Sequence, residues 1–344
     1  MAQTVILNGV VLAVVLVSID PAPAQSPIAV TVGATSVTSD APIYIADSKG
    51  YFRDEGLAVK VEKFRSASDM VPHLGTGTLD AGAGSASAGL YNAVANAIKI
   101  KIVADKASSP PGYGATKILI RKDHVDSGRY KTPADFKGMK FAMNAPGVSN
   151  TATLNAILKS AGLRYSDVEI VNMPLPDHVA ALGNKAVDAS ASVEPAATIA
   201  IKNGFAVLVK GDDEILPNHQ IAVLLYSENF VAKRSDAARA FMRAYLRAVR
   251  FYNDSLKDGR MIGPNADEVI AILAQATPIK DPSIYKSITP TGMNPDGKVN
   301  IESLAADLAF YKEQGLVKAD VKVQQIVDHS FVDKALQQLG HYRK

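Results

Sequence analysis

The 344-residue sequence contains no cysteine and no tryptophan. Without cysteine the chain has neither a disulfide framework nor a thiolate for catalysis or zinc binding. Without tryptophan, and with aromatic residues at only 6%, it lacks the broad stacking surfaces of a typical sugar-binding protein. The formal net charge is only +3, and acidic and basic residues are interspersed. We therefore expect no nucleic acid as a partner.

Enzymatic patterns are also scarce. The six histidines are scattered, and none has the spacing of a metal site. The small-residue segment 82–88 lacks the third glycine of a dinucleotide-binding motif and the Gly-Lys-Ser/Thr of a P-loop. We expect no cofactor, no metal and no catalytic residue, although a Ser-His-Asp triad assembles in space and leaves no fixed spacing in a sequence.

The first 25 residues have most features of a secretory signal. The apolar run from Val5 to Val17 is shorter than the about 20 residues that a membrane-spanning helix needs. Ala22-Pro23-Ala24 provides small residues at a cleavage site. The positively charged start is missing, because the first basic residue is Lys49. We interpret residues 1–25 as a cleaved signal peptide and expect a periplasmic protein; an uncleaved anchor is the alternative.

An internal repeat predicts two similar α/β lobes. The segment Leu74–Gly84 recurs as Leu182–Ser192, and the Asp-x-Val-x-x-Leu pattern that begins at Asp69 recurs at Asp177. In both copies strand-like runs alternate with helical patterns, which is typical of a mostly parallel sheet.

The repeat also suggests the domain limits. We expect lobe 1 at residues 26–120, lobe 2 at 121–223, and a return to lobe 1 with C-terminal helices at 224–344. The strand-like runs Lys117–Arg121 and Ile221–Tyr226 are the expected connections between the lobes.

Candidate binding residues follow the predicted strands. In open α/β sheets, ligands lie beyond the carboxyl ends of the strands, where helix amino ends present backbone N–H groups. Polar or small residues that open a helix or follow a strand at such turns are Thr38, Ser39, Arg65, Ser85, Ala86, Ser87, Ser149, Asn150, Thr151 and Glu194.

Each candidate has a structural alternative. Ser39 can simply cap its helix, and the loop at Ser85 can serve tight packing. The guanidinium of Arg65 suits a carboxylate or sulfonate, or it is a solvated surface group. Glu194 can pair with a ligand ammonium, bridge to Arg65 on closure, or cap the helix beside Pro195.

Several motifs resemble those of nitrate/sulfonate/taurine-type substrate-binding proteins of ABC importers, a group that shares its pattern with thiamine-pyrimidine-precursor binding proteins. The motifs are Gly50-Tyr51-Phe52-x-x-Glu55-Gly56-Leu57, Leu79-Asp80-Ala81-Gly82 and Glu194-Pro195. The resemblance implies the type II periplasmic-binding-protein fold, with two α/β lobes joined by two hinge strands. It also implies ligand contacts at Thr38–Ser39, Ser85–Ser87, Ser149–Thr151 and Glu194, and docking onto a membrane permease.

The resulting hypothesis is a monomeric solute-binding component of an ABC importer. Its lobes would close around a small anionic or zwitterionic molecule, such as a sulfonate or carboxylate, and deliver it to permease subunits. The alternative is an enzyme of the same fold in pyrimidine or menaquinone precursor synthesis, which would retain its N-terminus. A sensory ligand-binding domain is a third hypothesis.

Overall fold

The described part of the chain alternates strands with helices. The computed structural model describes Met1 and residues 26–343, so the predicted signal peptide lies outside the described residues apart from Met1. The alternation of apolar with small or polar residues over Ile28–Ala34 predicts a strand, and the structure has a strand with these bounds. Within the described range, no helix is both long and apolar enough to cross a membrane.

In chain order, the strands are β1 Ile28–Ala34, β2 Leu57–Lys63, β3 Ala81–Gly84, β4 Ile100–Ser109, β5 Thr116–Arg121, β6 Lys140–Met143, β7 Glu169–Asn172, β8 Ala189–Val193, β9 Ala206–Gly211, β10 His219–Ser227, β11 Leu256–Lys257 and β12 Arg260–Met261. The α-helices are α1 Ala41–Ser48, α2 Tyr51–Asp54, α3 Ala67–Thr76, α4 Ala88–Ala95, α5 Lys122–Asp126, α6 Ser149–Ser160, α7 Asp177–Gly183, α8 Ala196–Lys202, α9 Asp212–Ile215, α10 Glu228–Lys233, α11 Ser235–Asp254, α12 Ala266–Ala276, α13 Pro282–Ser287, α14 Ile301–Glu313 and α15 Ser330–Leu339.

Two five-stranded mixed sheets form the centres of two lobes. Lobe 1 contains the sheet β2-β1-β3-β10-β4, and lobe 2 contains the sheet β7-β6-β8-β5-β9. In each sheet the first three strands are parallel, and the fourth, β10 or β5, is antiparallel to its neighbours. The shared strand order confirms the predicted α/β fold with two similar lobes.

The repeated segments occupy equivalent places in the two sheets. β3 pairs with β1 in lobe 1, and β8 pairs with β6 in lobe 2. Each is preceded by the helix that carries the Asp-x-Val-x-x-Leu pattern, α3 or α7. The two copies therefore lie in separate sheets that face each other across a cleft.

The connections between the lobes differ from the expected ones. Strand β5 lies inside lobe 2, between β8 and β9, and strand β10 lies inside lobe 1, between β3 and β4. The sheet of lobe 2 consequently lies within residues 116–211, where the whole lobe was expected at 121–223, and the chain passes from one sheet to the other through 110–115 and 212–218. A run of apolar residues does not distinguish a crossing strand from a central strand, because both are buried.

One predicted helix is divided in two. The pattern from Pro42 to Glu55 predicts a single helix, but α1 ends at Ser48 and α2 begins at Tyr51. Gly50 between them has a φ of 74°, a left-handed conformation that ends a helix and that glycine adopts without strain.

The apolar residues of α11 recur at helical spacing, which predicts one buried face, and the helix packs across lobe 1 with that face. Phe241, Tyr245 and Val249 are fully buried in the lobe 1 core. On the other side, Arg243 forms a bidentate ion pair with Glu55 of the segment that follows α2. The face of α11 that carries Arg243 therefore binds the segment at Glu55 as well as facing solvent.

The lobes contact each other along one side of the cleft. The backbone N–H of Ala88 at the start of α4 donates to the carbonyl of Gly147 over 2.8 Å. Tyr165 of lobe 2 packs edge-on against Phe310 of α14, with ring centroids 5.5 Å apart. Gly147 has a φ of 62°, and a Cβ there would lie 2.5 Å from the Cβ of Ala88.

We predict that Gly147→Ala weakens closure of the lobes. The added methyl group would press against Ala88 in the closed state, while an open state relieves the contact. The matched control is Gly162→Ala, which has a similar φ of 73° but no atom within 4 Å of the added carbon. Small-angle scattering should give a larger radius of gyration for Gly147→Ala only. Equal radii for the two variants would contradict this assignment.

We also predict acid destabilisation through His178. Its side chain is buried in α7, with Nδ1 2.9 Å from the Ser192 hydroxyl, and burial lowers the pKa of His178 to about 4. An unfolded histidine has a pKa of about 6.5, so between pH 6.5 and 4 only the unfolded state gains the proton. Stability should fall as pH decreases through this window, by up to about 3 kcal/mol.

The measurement is urea unfolding at pH 8, 6 and 4.5 for the wild-type protein and His178→Gln. At pH 8 the histidine is neutral in both states, which gives the baseline difference. The variant should lose less stability on acidification than the wild type. Parallel pH profiles would rule out His178 as the source.

Candidate functional site

The cleft between the lobes contains two adjoining cavities. The inner cavity, about 50 Å³, lies beside strands β4 and β10 and has walls from both lobes. The outer cavity, about 520 Å³, opens from it towards solvent. Five residues line both and make them continuous: Thr35, Val37, Arg65, Leu175 and Val193.

Two helix amino ends, one from each lobe, meet at the inner cavity. Ser66 and Ala67 at the start of α3 form part of one wall, and Ser149 and Asn150 at the start of α6 form part of the opposite wall. The first N–H groups of a helix have no partner within the helix and carry its positive dipole end. This arrangement favours a negatively charged group between the lobes.

A buried lysine, paired with an aspartate, adds hydrogen-bond donors to the inner cavity. Lys106 of β4 lines the cavity, and its Nζ lies 2.8 Å from Asp40 Oδ1 and 2.9 Å from Ser39 Oγ. The side chains of Lys106 and Asp40 are 2% and 0% exposed. An ammonium has three donors, so Asp40 and Ser39 leave one for a guest.

Asp40 also shapes the wall of both cavities. Its Oδ2 accepts hydrogen bonds from the backbone N–H groups of Thr35 and Val37, each 3.1 Å long. These bonds hold the loop between β1 and α1 in place. From its position before α1, Asp40 is expected to cap that helix, but in the structure it anchors Lys106 and this loop.

Hydroxyl groups from the two lobes meet across the inner cavity. Ser85 Oγ of lobe 1 lies 3.1 Å from Ser149 Oγ of lobe 2. The amide nitrogen of Asn150 donates to the Ala191 carbonyl over 2.8 Å, while its buried Oδ1 has no hydrogen-bond partner within the described residues. Five of the expected residues, Ser39, Arg65, Ser85, Ser149 and Asn150, therefore line this one cavity.

Arg65 lies at the entrance. Its side chain is 78% exposed, lines both cavities, and forms an ion pair with Asp69 one helical turn away, with 3.2 Å between Nε and Oδ2. Such exposed pairs are weak because solvent screens them. Arg65 is thus free to turn towards an arriving anion.

Glu194 lines the outer cavity, but its carboxylate is already engaged. It is fully buried and accepts hydrogen bonds from the backbone N–H and hydroxyl of Thr198, at 3.0 and 2.9 Å. Lys117 Nζ lies 3.7 Å away. Burial raises the pKa of Glu194, and the charge of Lys117 opposes that rise. Of the sequence alternatives, the structure has the helix-capping contact and no pairing with Arg65.

Four other expected residues line neither cavity. Ser87 caps α4 by accepting from the Leu90 N–H over 3.3 Å, and the Thr151 hydroxyl donates to the Val148 carbonyl over 2.5 Å. Ala86 and Thr38 are buried in packing beneath the turns. Ala86, Ser87 and Thr151 follow the lining residues Ser85 and Asn150 along their turns, and Thr38 is buried between the lining residues Val37 and Ser39.

The sequence interpretation missed Lys106 and did not select Asn144, which lines the inner cavity. A signal for Lys106 was present: it stands beside Asp105 within the apolar strand β4, and charged groups are seldom buried without a partner. Within the described residues, no group of three histidine or acidic side chains could hold a metal ion.

Comparison with known proteins identifies a family and individual proteins to which this chain is similar. A model of the NMT1-like family matches residues 23–263. The taurine-binding periplasmic protein of Escherichia coli (strain K12) is 25% identical over 299 residues, which cover 85% of this chain and 89% of the relative.

Solved structures establish the fold. The alkanesulfonate-binding protein SsuA from Xanthomonas axonopodis pv. citri, bound to MOPS, has a TM-score of 0.71 and 19% identity over 89% of this chain and 99% of that one. The desulfurization enzyme DSZB has a TM-score of 0.61 and 15% identity over 91% and 99%. These likenesses confirm the type II periplasmic-binding-protein fold expected from the motifs, a fold that carries both binding and enzymatic functions.

We predict that Lys106→Met abolishes anion binding and destabilises lobe 1. Removing one partner of a buried ion pair leaves an uncompensated charge, at a cost of about 3–5 kcal/mol. The double variant Lys106→Met/Asp40→Asn removes both charges and should recover most of the stability in urea unfolding without recovering binding. Anion binding by the double variant at wild-type affinity would exclude Lys106 from the site.

Proposed function

The chain belongs to the NMT1-like family, and we propose that it is the exported solute-binding component of an ABC importer. It captures a small anionic or zwitterionic organic molecule, such as a sulfonate or carboxylate, between its lobes and delivers that molecule to a membrane permease. Support comes from the family, from the similarity to a taurine-binding periplasmic protein, and from the chemistry of the cleft.

One observation carries the proposal: positive groups from both lobes converge on the inner cavity. Lys106 and the amino end of α3 come from lobe 1, and the amino end of α6 comes from lobe 2. An anion placed there bridges the lobes and gains contacts that neither lobe provides alone. Such a site binds best when the cleft is closed.

Ligand binding then shifts the population of the protein from an open state to a closed state of the two lobes. The lobes are joined only at 110–115 and 212–218, so they can rotate about these segments while each sheet stays intact. A ligand that contacts both walls stabilises the closed state relative to the open one by its additional contacts. The direct contact between Ser85 and Ser149 marks the closed position of the walls.

An enzyme is the second candidate, because the desulfurization enzyme DSZB shares the fold. The absence of cysteine in this chain removes thiolate chemistry. Glu194 is the one carboxylate among the described residues that line either cavity, and it is held by Thr198 and Lys117. A general acid–base pair is therefore not assembled in this closed cleft.

The proposal is tested on protein secreted from its full-length gene and purified without unfolding. Native mass spectrometry should show an N-terminus processed near residue 25 and a co-purified anion at one per chain. Titration calorimetry with ethanesulfonate, taurine, benzoate and nitrate should give one-to-one binding of at least one of them, lost in Lys106→Met/Asp40→Asn. Chemical turnover of a bound compound, together with a retained N-terminus, would favour the enzyme instead.

A further inference from the structure

The outer cavity has a largely apolar wall. Twelve of its seventeen lining residues are aliphatic, proline or phenylalanine. Its volume of about 520 Å³ falls within the about 300–1,000 Å³ of cavities that enclose drug-sized molecules. Nitrate or taurine would fill only a small part of such a space.

Several of these apolar side chains are only partly covered by protein. Phe64, Leu175, Val179, Val193 and Ile199 all have intermediate exposure and face the same cavity. Apolar surface gathered in a concave site is stabilised by an apolar occupant that displaces water from it. The wall is thus better suited to a hydrocarbon than to a polar solute.

The outer cavity is continuous with the anion site. Thr35, Val37, Arg65, Leu175 and Val193 line both cavities, so a single molecule can occupy both. The inner cavity, about 50 Å³, has room for a compact charged head group beside Lys106. The body of the molecule would then extend into the outer cavity.

A positively charged ligand group finds no free partner there. Glu194 is the one carboxylate among the described residues of the outer wall, and Thr198 and Lys117 already engage it. The two other charged residues of this wall, Lys63 and Arg65, are themselves cations. An ammonium would lose its hydration without gaining a carboxylate.

Part of the apolar wall comes from outside the region that the family model covers. Pro278 and Ile279 line the outer cavity, whereas the family match ends at residue 263. Beyond α13, the hydroxyl of Thr289 accepts a hydrogen bond from Lys117 Nζ of lobe 2 over 2.9 Å. The connection between α12 and α13 therefore closes one side of the cavity, and the residues that follow α13 are bonded to the opposite lobe.

Resting on the proposed function, we infer that the ligand is an organic anion with an apolar body of six or more carbon atoms and no amine. Its head group, a sulfonate or carboxylate, occupies the inner cavity at Lys106 and the two helix amino ends. Its alkyl or aryl body fills the outer cavity between the segment at Ile279 and the lobe 2 residues Val179 and Ile199.

The test is titration calorimetry of the full chain with alkane-1-sulfonates of two, four, six and eight carbons, and with alkyl carboxylates of matched length. Naphthalene-2-sulfonate represents an aryl body. Each buried methylene should raise affinity about fourfold, so hexanesulfonate, with four more methylenes, should bind on the order of 250-fold more tightly than ethanesulfonate. Propane-1-sulfonate should bind at least tenfold more tightly than taurine, which has an ammonium in place of the methyl group.

Substitutions in the apolar wall of the outer cavity test whether this wall causes the dependence of affinity on chain length. Val179→Thr and Ile199→Thr each introduce a hydroxyl at a partly exposed position, so neither should prevent folding. Both should reduce the chain-length dependence, and each should lower the affinity for hexanesulfonate more than the affinity for ethanesulfonate. The matched control is Val94→Thr, a helical valine of intermediate exposure that lines neither cavity; it should behave as the wild type.

The outcomes separate this inference from the proposed function. If short anions bind through Lys106 and added carbons bring no affinity, the apolar body is excluded and the transport role stands. If taurine binds as tightly as propane-1-sulfonate, the exclusion of amines is overturned. If no sulfonate or carboxylate of any length binds to folded protein, the proposed function fails and this inference fails with it.

Discussion

The buried ion pair between Lys106 and Asp40 is the interaction on which the cleft depends. Two charges removed from water are costly unless they satisfy each other and their neighbours. Asp40 achieves this by also accepting from the loop between β1 and α1, and Lys106 by also donating to Ser39. A single pair thereby fixes the wall of the cavity and leaves one N–H donor of the Lys106 ammonium for a guest.

The fold could be predicted from the sequence because an internal repeat encodes the same α/β arrangement in each lobe. The matching segments at 74–84 and 182–192 predict the two-lobe architecture, and the segment Ile301–Glu313, followed by Gly315, is predicted as a helix with the observed bounds. The crossing points were misplaced because Thr116–Arg121 is buried on both faces of a sheet. An apolar run indicates that a strand is buried, but it does not indicate in which lobe the strand is buried.

The site was predicted only in part, and for a physical reason. Turn position identified Ser39, Ser85, Ser149 and Asn150, because helix amino ends meet at the cleft in this fold. Whether a charged side chain faces a ligand or a protein partner depends on residues distant in sequence. Glu194 pairs with Lys117, 77 positions away in the chain. Lys106 is held at the cleft by its ion pair with Asp40.

The insertion of lobe 2 into lobe 1 has a consequence for biosynthesis. Strand β10, which stands between β3 and β4 in the first sheet, ends at Ser227, after all of lobe 2. During translation lobe 2 can complete its own sheet before lobe 1 acquires this strand. The amino-terminal half therefore emerges from the ribosome with a gap in its sheet, which β10 fills only after the chain returns from lobe 2.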